Sequence, residues 1–295
     1  MKKATAFAPG HISGFFQPII DENMDKTGSR GAGVCISHGA TSTVQILDDN
    51  IQHIEIRVNK KKGRFAVTQN AIQRILEDRP IHVTVDVELD LPVGQGFGMS
   101  AASTLSTVIA LAHLLRKPRS SAIQAAHQAE VTYHTGLGDV VSSAIGGFEV
   151  REAPGIFPFG KIHKITDEHP QHPLLLGLFP GSISTHDVLT NKEQVDRISM
   201  IGKECTDKVL RNPTVTTIFD YSFLFTKKTG LATKELLNVL QKINETDQAS
   251  MCMLGHSFFA TGNLNRITSC LPDSVTSIKT KVDNTGARIL NSSEK

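Results

Sequence analysis

Gly94-Gln95-Gly96-Phe97-Gly98-Met99-Ser100-Ala101 is the stretch on which the reading of this chain turns. Just before it, Ile81, Val83, Val85, Val87 and Leu89 alternate with His82, Thr84, Asp86, Glu88 and Asp90. That period of two predicts a strand with one buried and one polar face. Just after it, the Ala- and Leu-rich run from Ser100 to Leu115 predicts a helix. The glycines therefore join a strand to a helix N-terminus. Unpaired N–H groups and partial positive charge at such an end suit a phosphate. Glycines let the backbone come close to phosphate oxygens. The loop is not a Walker A motif, because no Gly-Lys-Ser/Thr follows. Nor is it a dinucleotide fingerprint, because Met99 stands where the third Gly belongs. Taken alone, the loop fits a plain strand-to-helix turn as well as a phosphate cradle.

Working outward, the first 90 residues read mostly as strands. Ile51, Ile54, Ile56 and Val58 mark one, and Lys60-Lys61-Lys62-Gly63-Arg64 reads as a solvated hairpin turn. Ile72, Ile75 and Leu76 share a face of a short helix over 68–76. Downstream of the glycine loop, a second helix starts near Ser120 or Ser121, either a fitting N-cap, and ends before Gly136-Leu137-Gly138-Asp139. Gly146-Gly147-Phe148-Glu149-Val150 reads as a turn into a strand. The stretch 151–173 holds Pro154, Gly155, Pro158, Gly160, Pro170 and Pro173, which places a domain boundary near 155. Beyond it we expect a strand at 174–179 and helices at 191–210, 215–228 and 231–242. A further helix at 246–260 and a closing strand at 275–282 complete the reading.

The chain has 295 residues, enough for two domains at about 150 residues each. Its hydrophobic content of 39% and charged content of 20% are those of a globular protein. A net charge of +2 disfavours a nucleic-acid binder or a polybasic membrane protein, though not a small anionic ligand. No apolar run reaches the roughly 18 residues that would span a bilayer. Lys2 and Lys3 could open a signal peptide, but Pro9, Gly10 and His11 interrupt its apolar core. Cys35, Cys205, Cys252 and Cys270 include no C-x-x-C pair, so we expect a reduced, cytoplasmic protein. With no Trp and only 2 Tyr, recognition by stacking has little to work with. His163, Glu168, His169 and His172 are broken up by prolines and read as a loop rather than a metal site.

Three segments in order resemble the GHMP kinases. Ala8-Pro9-Gly10-His11-Ile12-Ser13-Gly14 resembles that superfamily's first motif. Pro92 with Gly96-Phe97-Gly98-Met99-Ser100-Ala101-Ala102 resembles its Pro-x-x-x-Gly-Leu-x-Ser-Ser-Ala motif. Gly136-Leu137-Gly138-Asp139 followed by Gly146-Gly147-Phe148 resembles the segment that carries its active-site Asp. Within the superfamily, Phe15-Phe16, Gly28-Ser29-Arg30-Gly31-Ala32-Gly33, Met253-Leu254-Gly255-His256 and Asn284-Thr285-Gly286-Ala287-Arg288 are most similar to the archaeal pantoate kinases.

The resemblance implies an α+β GHMP kinase fold: a two-layer α/β ATP-binding domain over 1–155 and a ferredoxin-like domain over 156–295. It implies an ATP-dependent phosphotransferase with an alcohol acceptor, here the 4-hydroxyl of (R)-pantoate, in coenzyme A biosynthesis. A homoserine or mevalonate kinase, or a non-catalytic sensor on the same fold, are the other readings. Pro92 and Gly94, Gln95, Gly96, Phe97, Gly98, Met99, Ser100 and Ala101 would then surround the triphosphate of ATP. Ser100 and Glu130 would hold Mg²⁺, and Asp139 would meet the acceptor hydroxyl. Pantoate is an anion, so Arg30 and Arg151, with His11, Ser13 and His186 nearby, are the candidate substrate residues. No nucleic-acid or membrane partner is expected, and the pattern leaves room for a homodimer. Two departures stand out. His11 occupies the position where mevalonate kinases carry Lys. The third motif, usually glycine-rich, has only two glycines between Met253 and Gly262.

Overall fold

The computed structural model describes residues 2–48, 51–166, 169, 171–181 and 192–294. Its first sheet is built on two long antiparallel strands, β1 (Lys2–Ile19) and β2 (Gly28–Asp48), paired from Lys2↔Ile46 to Ile19↔Gly28. The register shifts twice along β1, at Pro9/Gly10 and at Ser13/Phe15. Such irregularities re-aim side chains and are concentrated near functional sites. Here they flank His11, Ile12 and Ser13.

β5 (Ile81–Leu89) pairs with the outer half of β2, and β3 (His53–Val58) runs parallel to β5, joined to it through α1 (Ala66–Leu76). β4 (Lys61–Lys62) pairs with β3 as the expected hairpin. β6 (Phe148–Ala153) pairs with β2, and β7 (Lys161–Ile165) pairs with β6. β12 (Arg288–Glu294) returns from the far end of the chain to pair with β1. A cut at residue 155 therefore leaves two later strands, β7 and β12, in the first sheet.

Over this sheet lie α1, α2 (Met99–Leu114) and α3 (Arg119–Tyr133). α2 is the central element, buried at nearly every position. A helix walled in on all sides must be apolar or small all round. The hydroxyls it does carry are paired: Ser106 Oγ lies 2.7 Å from Ser42 Oγ, and Thr107 Oγ1 donates to Ser42 Oγ at 3.0 Å. α3 starts ahead of both serines, with Pro118 at the N-cap and no side-chain cap.

The second sheet contains β8 (Pro173–Leu178), β9 (Gln248–Met251), β10 (Ser257–Thr261) and β11 (Thr276–Lys281). Its order, β11-β8-β10-β9, is fully antiparallel. Numbered along the chain that is 4-1-3-2, the ferredoxin-like order. α5 (Lys192–Arg211), α6 (Val215–Thr229) and α7 (Lys234–Ile243) connect β8 to β9, and α8 (Leu264–Ser269) connects β10 to β11. The expected helix at 246–260 is instead β9, a turn and β10. Its apolar residues, Ala249, Met251, Phe258 and Phe259, are buried on a strand pair. Short buried strands and buried helices have similar apolar runs, and Gly255 is the residue that breaks this one.

One apolar core joins the two sheets. Phe15 and Phe16 pack on Phe225 of α6 at ring-centroid distances of 6.4 and 6.0 Å, and Phe219 packs on Phe259 at 4.9 Å. Among the described residues no helix is long and apolar enough to cross a membrane. All four cysteines are free thiols. Glu168 lies outside the described residues, while His163 bonds to Glu152 and His172 Nε2 lies 2.7 Å from Thr261 Oγ1.

Candidate active site

A cleft of about 330 Å³ opens where α2 begins. Gly94, Gly96 and Gly98 all have positive φ, at 83°, 76° and 63°. Gly98 is the N-cap of α2 and brings no side chain, so the first-turn N–H groups of that helix keep no cap. A Cβ at Gly98 would lie 2.9 Å from the carbonyl oxygen of His11 and 3.0 Å from its nitrogen. Both the backbone angle and the neighbour require glycine there.

The loop is clamped from two sides. His11 N donates to Phe97 O at 3.1 Å, and Ser257 Oγ donates to Gln95 O at 2.5 Å. The turn between β9 and β10 closes over it, with Met253 N donating to Ser13 O at 3.0 Å. Met253 and Leu254 line the cleft, so the glycine-poor third motif does face the loop. Of the residues expected around the triphosphate, Gly94, Gly96, Phe97, Gly98, Met99, Ser100 and Ala101 line the cleft. Pro92 is exposed outside it. Gln95 is a brace, donating through Nε2 to Gly181 O at 2.6 Å.

Ser100 Oγ donates to Glu130 Oε1 at 2.7 Å. Glu130 is 2% exposed, and burial pushes its carboxyl up to about 7 against the opposing hydrogen bond from Ser100. Its second oxygen, Oε2, is buried with no partner. A buried carboxylate oxygen beside a hydroxyl at a cleft wall is a donor set suited to a hard cation. Asp139 opens α4 (Asp139–Ile145) and is not its cap; Gly138 holds that position. Gly136 lies between the two acids. A Cβ on it would stand 2.3 Å from Glu130 Oε2 and 3.4 Å from Asp139 Oδ2.

Behind Asp139 sits a buried charge network. His11 has no solvent exposure, and its Nδ1 is 2.7 Å from Asp139 Oδ1. Its Nε2 is 2.9 Å from Glu149 Oε1, nearer than Arg151 Nη1 at 3.4 Å. With a carboxylate at each ring nitrogen, both nitrogens donate and the ring is an imidazolium. Burial alone would lower the proton affinity of His11, but Asp139 and Glu149 outweigh it and raise the pKa. Glu149, also fully buried, is held below the usual carboxylate range because Arg151 and His11 overcome its desolvation. Arg151 pairs with Glu149 and donates to Ser142 Oγ at 3.0 Å and Ser13 Oγ at 3.1 Å. Its Nε is buried without a partner, beside Gly138.

The candidate substrate residues therefore separate. Ser13 lines the cleft. His11 does not reach it except through Asp139, because its ring is enclosed between two acids. Arg151 reaches it through the hydroxyl of Ser13. Arg30 is turned away, held by Glu152 O at 2.8 Å and Asp207 Oδ1 at 2.7 Å. His186 lies outside the described residues. No Lys or Arg is among the described residues that line the cleft, whereas Ser29, which the sequence did not single out, is. The only hint of it was its place in the quoted segment Gly28-Ser29-Arg30.

Residues 65–147 match the family model of the GHMP kinases N terminal domain. The chain is 34% identical over 269 residues to a pantoate kinase of Methanospirillum hungatei, covering 89% of this chain and 88% of that one. The chain belongs to the GHMP kinases. This GHMP kinase is also 31% identical to a pantoate kinase of Methanocaldococcus jannaschii, over 90% of its own length and 95% of that protein. Its fold superposes on a solved phosphotransferase related to the CoA biosynthesis pathway with a TM-score of 0.88, at 28% identity and 98% coverage of each chain. The matched family domain contains the glycine loop, Ser100, Glu130 and Asp139. His11, Glu149 and Arg151 lie outside it and reach the site only by folding.

Proposed function

We propose that this GHMP kinase transfers the γ-phosphate of ATP to the 4-hydroxyl of (R)-pantoate. The observation that carries the mechanism is the convergence of three groups on one cleft: the open N–H groups of α2, the Ser100–Glu130 pair, and the Asp139 carboxylate. The identity of the acceptor is supported by the two archaeal relatives named as pantoate kinases.

The glycine loop and the first turn of α2 hold the triphosphate with backbone N–H groups and the helix dipole. Ser100 Oγ and Glu130 fit Mg²⁺, as the unpartnered Oε2 of Glu130 indicates. A cation held by these two residues would supply charge neutralisation for the transferring phosphoryl group. His11 donates to Asp139 Oδ1, which leaves Oδ2 for the acceptor hydroxyl. Asp139 orients that hydroxyl and receives its proton as the phosphoryl group arrives. The transition state of such a transfer is loose, so positioning and charge stabilisation matter more than base strength. The buried His11 cation holds Asp139 in place through Oδ1, at the position where mevalonate kinases carry Lys. Ser13 and Ser29 offer hydroxyls to the pantoate carboxylate, and Arg151 polarises Ser13 from behind.

Joint presence of Ser100, Glu130 and Asp139 in one cleft favours an enzyme over a sensor. ADP release measured with (R)-pantoate, homoserine and mevalonate tests the acceptor. Release with pantoate is expected. No release with pantoate, alongside release with another acceptor, would overturn the assignment.

A further inference from the structure

On the first sheet, away from the residues of the cleft, β3 and β5 run in register with His53 directly beside His82. Strand alternation puts Glu55, two residues on, on the same face as His53. The three side chains converge. One ligand atom from each of His53, Glu55 and His82 lies within 4.8 Å of the other two. His53 Nε2 is 3.5 Å from Glu55 Oε1, and the two imidazoles meet edge to face at 4.8 Å between centroids.

We propose that His53, Glu55 and His82 form a site for a zinc-type divalent cation. Two imidazole nitrogens and one carboxylate oxygen suit a borderline cation such as Zn²⁺, not Mg²⁺, which prefers oxygen ligands and its own waters. Metal–ligand bonds of about 2.0–2.2 Å in a tetrahedron place ligand atoms roughly 3.4 Å apart. The set needs to close by up to about 1.4 Å from the 4.8 Å limit, which the side-chain tips can supply by small rotations of partly exposed groups. His53 is 55% exposed and Glu55 33%. Three protein ligands leave a fourth position for water.

The surroundings fix how Glu55 would bind. Its Oε2 faces Lys62 Nζ at 3.4 Å and Arg57 Nη2 at 3.7 Å, while Oε1 faces His53. Lys62 Nζ donates a hydrogen bond to Oε2 at that distance. Lys62 and Arg57 thus orient the acid from behind, as outer partners of metal ligands do. Their positive charges also weaken cation affinity, moderated by solvent screening. A bound ion would tie β3 to β5 across the connection that contains α1.

The full chain, free of any affinity tag and stripped with a chelator, is titrated with Zn²⁺ by calorimetry and with Co²⁺ by visible absorption. Excess Mg²⁺ and no ATP are present. One tight-phase equivalent of Zn²⁺ and a Co²⁺ ligand-field band are expected. His82→Ala and Glu55→Gln each weaken Zn²⁺ binding about tenfold or more. Both variants keep phosphotransfer with Mg-ATP and keep the metal-free melting temperature, which shows that they fold. Zn²⁺ binding unchanged in both variants, or no Co²⁺ band in the unmodified chain, would overturn the site and leave a surface charge cluster.

Discussion

His11 Nδ1 lies 2.7 Å from Asp139 Oδ1, although the two residues are 128 positions apart. The same ring reaches Glu149 on its other side, so a fully buried cation is locked against the acid proposed to meet the acceptor hydroxyl. If His11 acts as a cation, its removal should depress turnover more than binding. His11→Ala is expected to lower kcat by about 10²-fold, the scale on which small losses of positioning are felt, with KM for ATP little changed. His11→Lys keeps a positive charge at the site and should recover part of that loss. Steady-state kinetics of the two variants decide it. Equal kcat in His11→Lys and His11→Ala, with both proteins folded, would remove the charge from the mechanism.

The same histidine sets a pH dependence of stability. Its folded-state pKa is raised above the unfolded value. Its contribution is therefore complete below the ordinary histidine value of about 6.5, and is lost as pH rises through the folded-state value. The melting temperature of the unmodified protein should fall across that window relative to His11→Ala. Thermal melts of both proteins from weakly acidic to alkaline pH give the comparison, and parallel curves would contradict the charged-ring assignment.

Glu130 combines a stability cost with the cation-holding role proposed for it. Its carboxyl is pushed up to about 7 by burial. A carboxyl raised in the folded state favours the protonated form, so its contribution is present at low pH and is lost as pH rises through about 7. Glu130→Gln removes the ionisation and can still accept from Ser100. In the absence of ligands at pH 8 it should stabilise the protein, by roughly 3 kcal/mol if the full shift is realised. It should also abolish most phosphotransfer. Denaturant melts paired with ADP release test both, and a destabilised Glu130→Gln would show that the acid is not strained in the empty cleft.

The glycine loop and the acids that line the cleft with it could be picked out in the sequence, and the buried partners of Asp139 could not. The glycine loop announces itself because the pattern switches from period two to a helical run across a few residues, a purely local signal. Ser100 and Asp139 stand in quoted motifs and Glu130 follows from the family resemblance, all between the start of α2 and the start of α4. His11 looked like a substrate residue because nothing local shows that β6 brings Glu149 and Arg151 under it. That placement depends on β2 pairing with both β1 and β6. The strand pair β9–β10 was hidden for a different reason: buried on a sheet, its apolar run has no clean alternation. β12 was missed because it completes a sheet whose other strands lie at the opposite end of the chain.

Substrate recognition separates two neighbours that share a hydrogen bond, Ser13 and Arg151. Arg151 is buried and neutralises Glu149, so Arg151→Ala leaves an uncompensated acid in the core and should destabilise the fold by about 3–5 kcal/mol. Any rise in KM from that variant would be entangled with the loss of structure. Ser13 lines the cleft and loses only a hydroxyl in Ser13→Ala. A hydrogen bond to a charged group contributes about 1.5–3 kcal/mol, so KM for pantoate should rise roughly 10- to 100-fold. KM for ATP should stay within about twofold, since a surface-type change with no partner on the nucleotide side has little effect there. Ser29→Ala should act in the same direction. If Ser13→Ala raises KM for ATP and leaves that for pantoate untouched, the carboxylate does not sit at this end of the cleft.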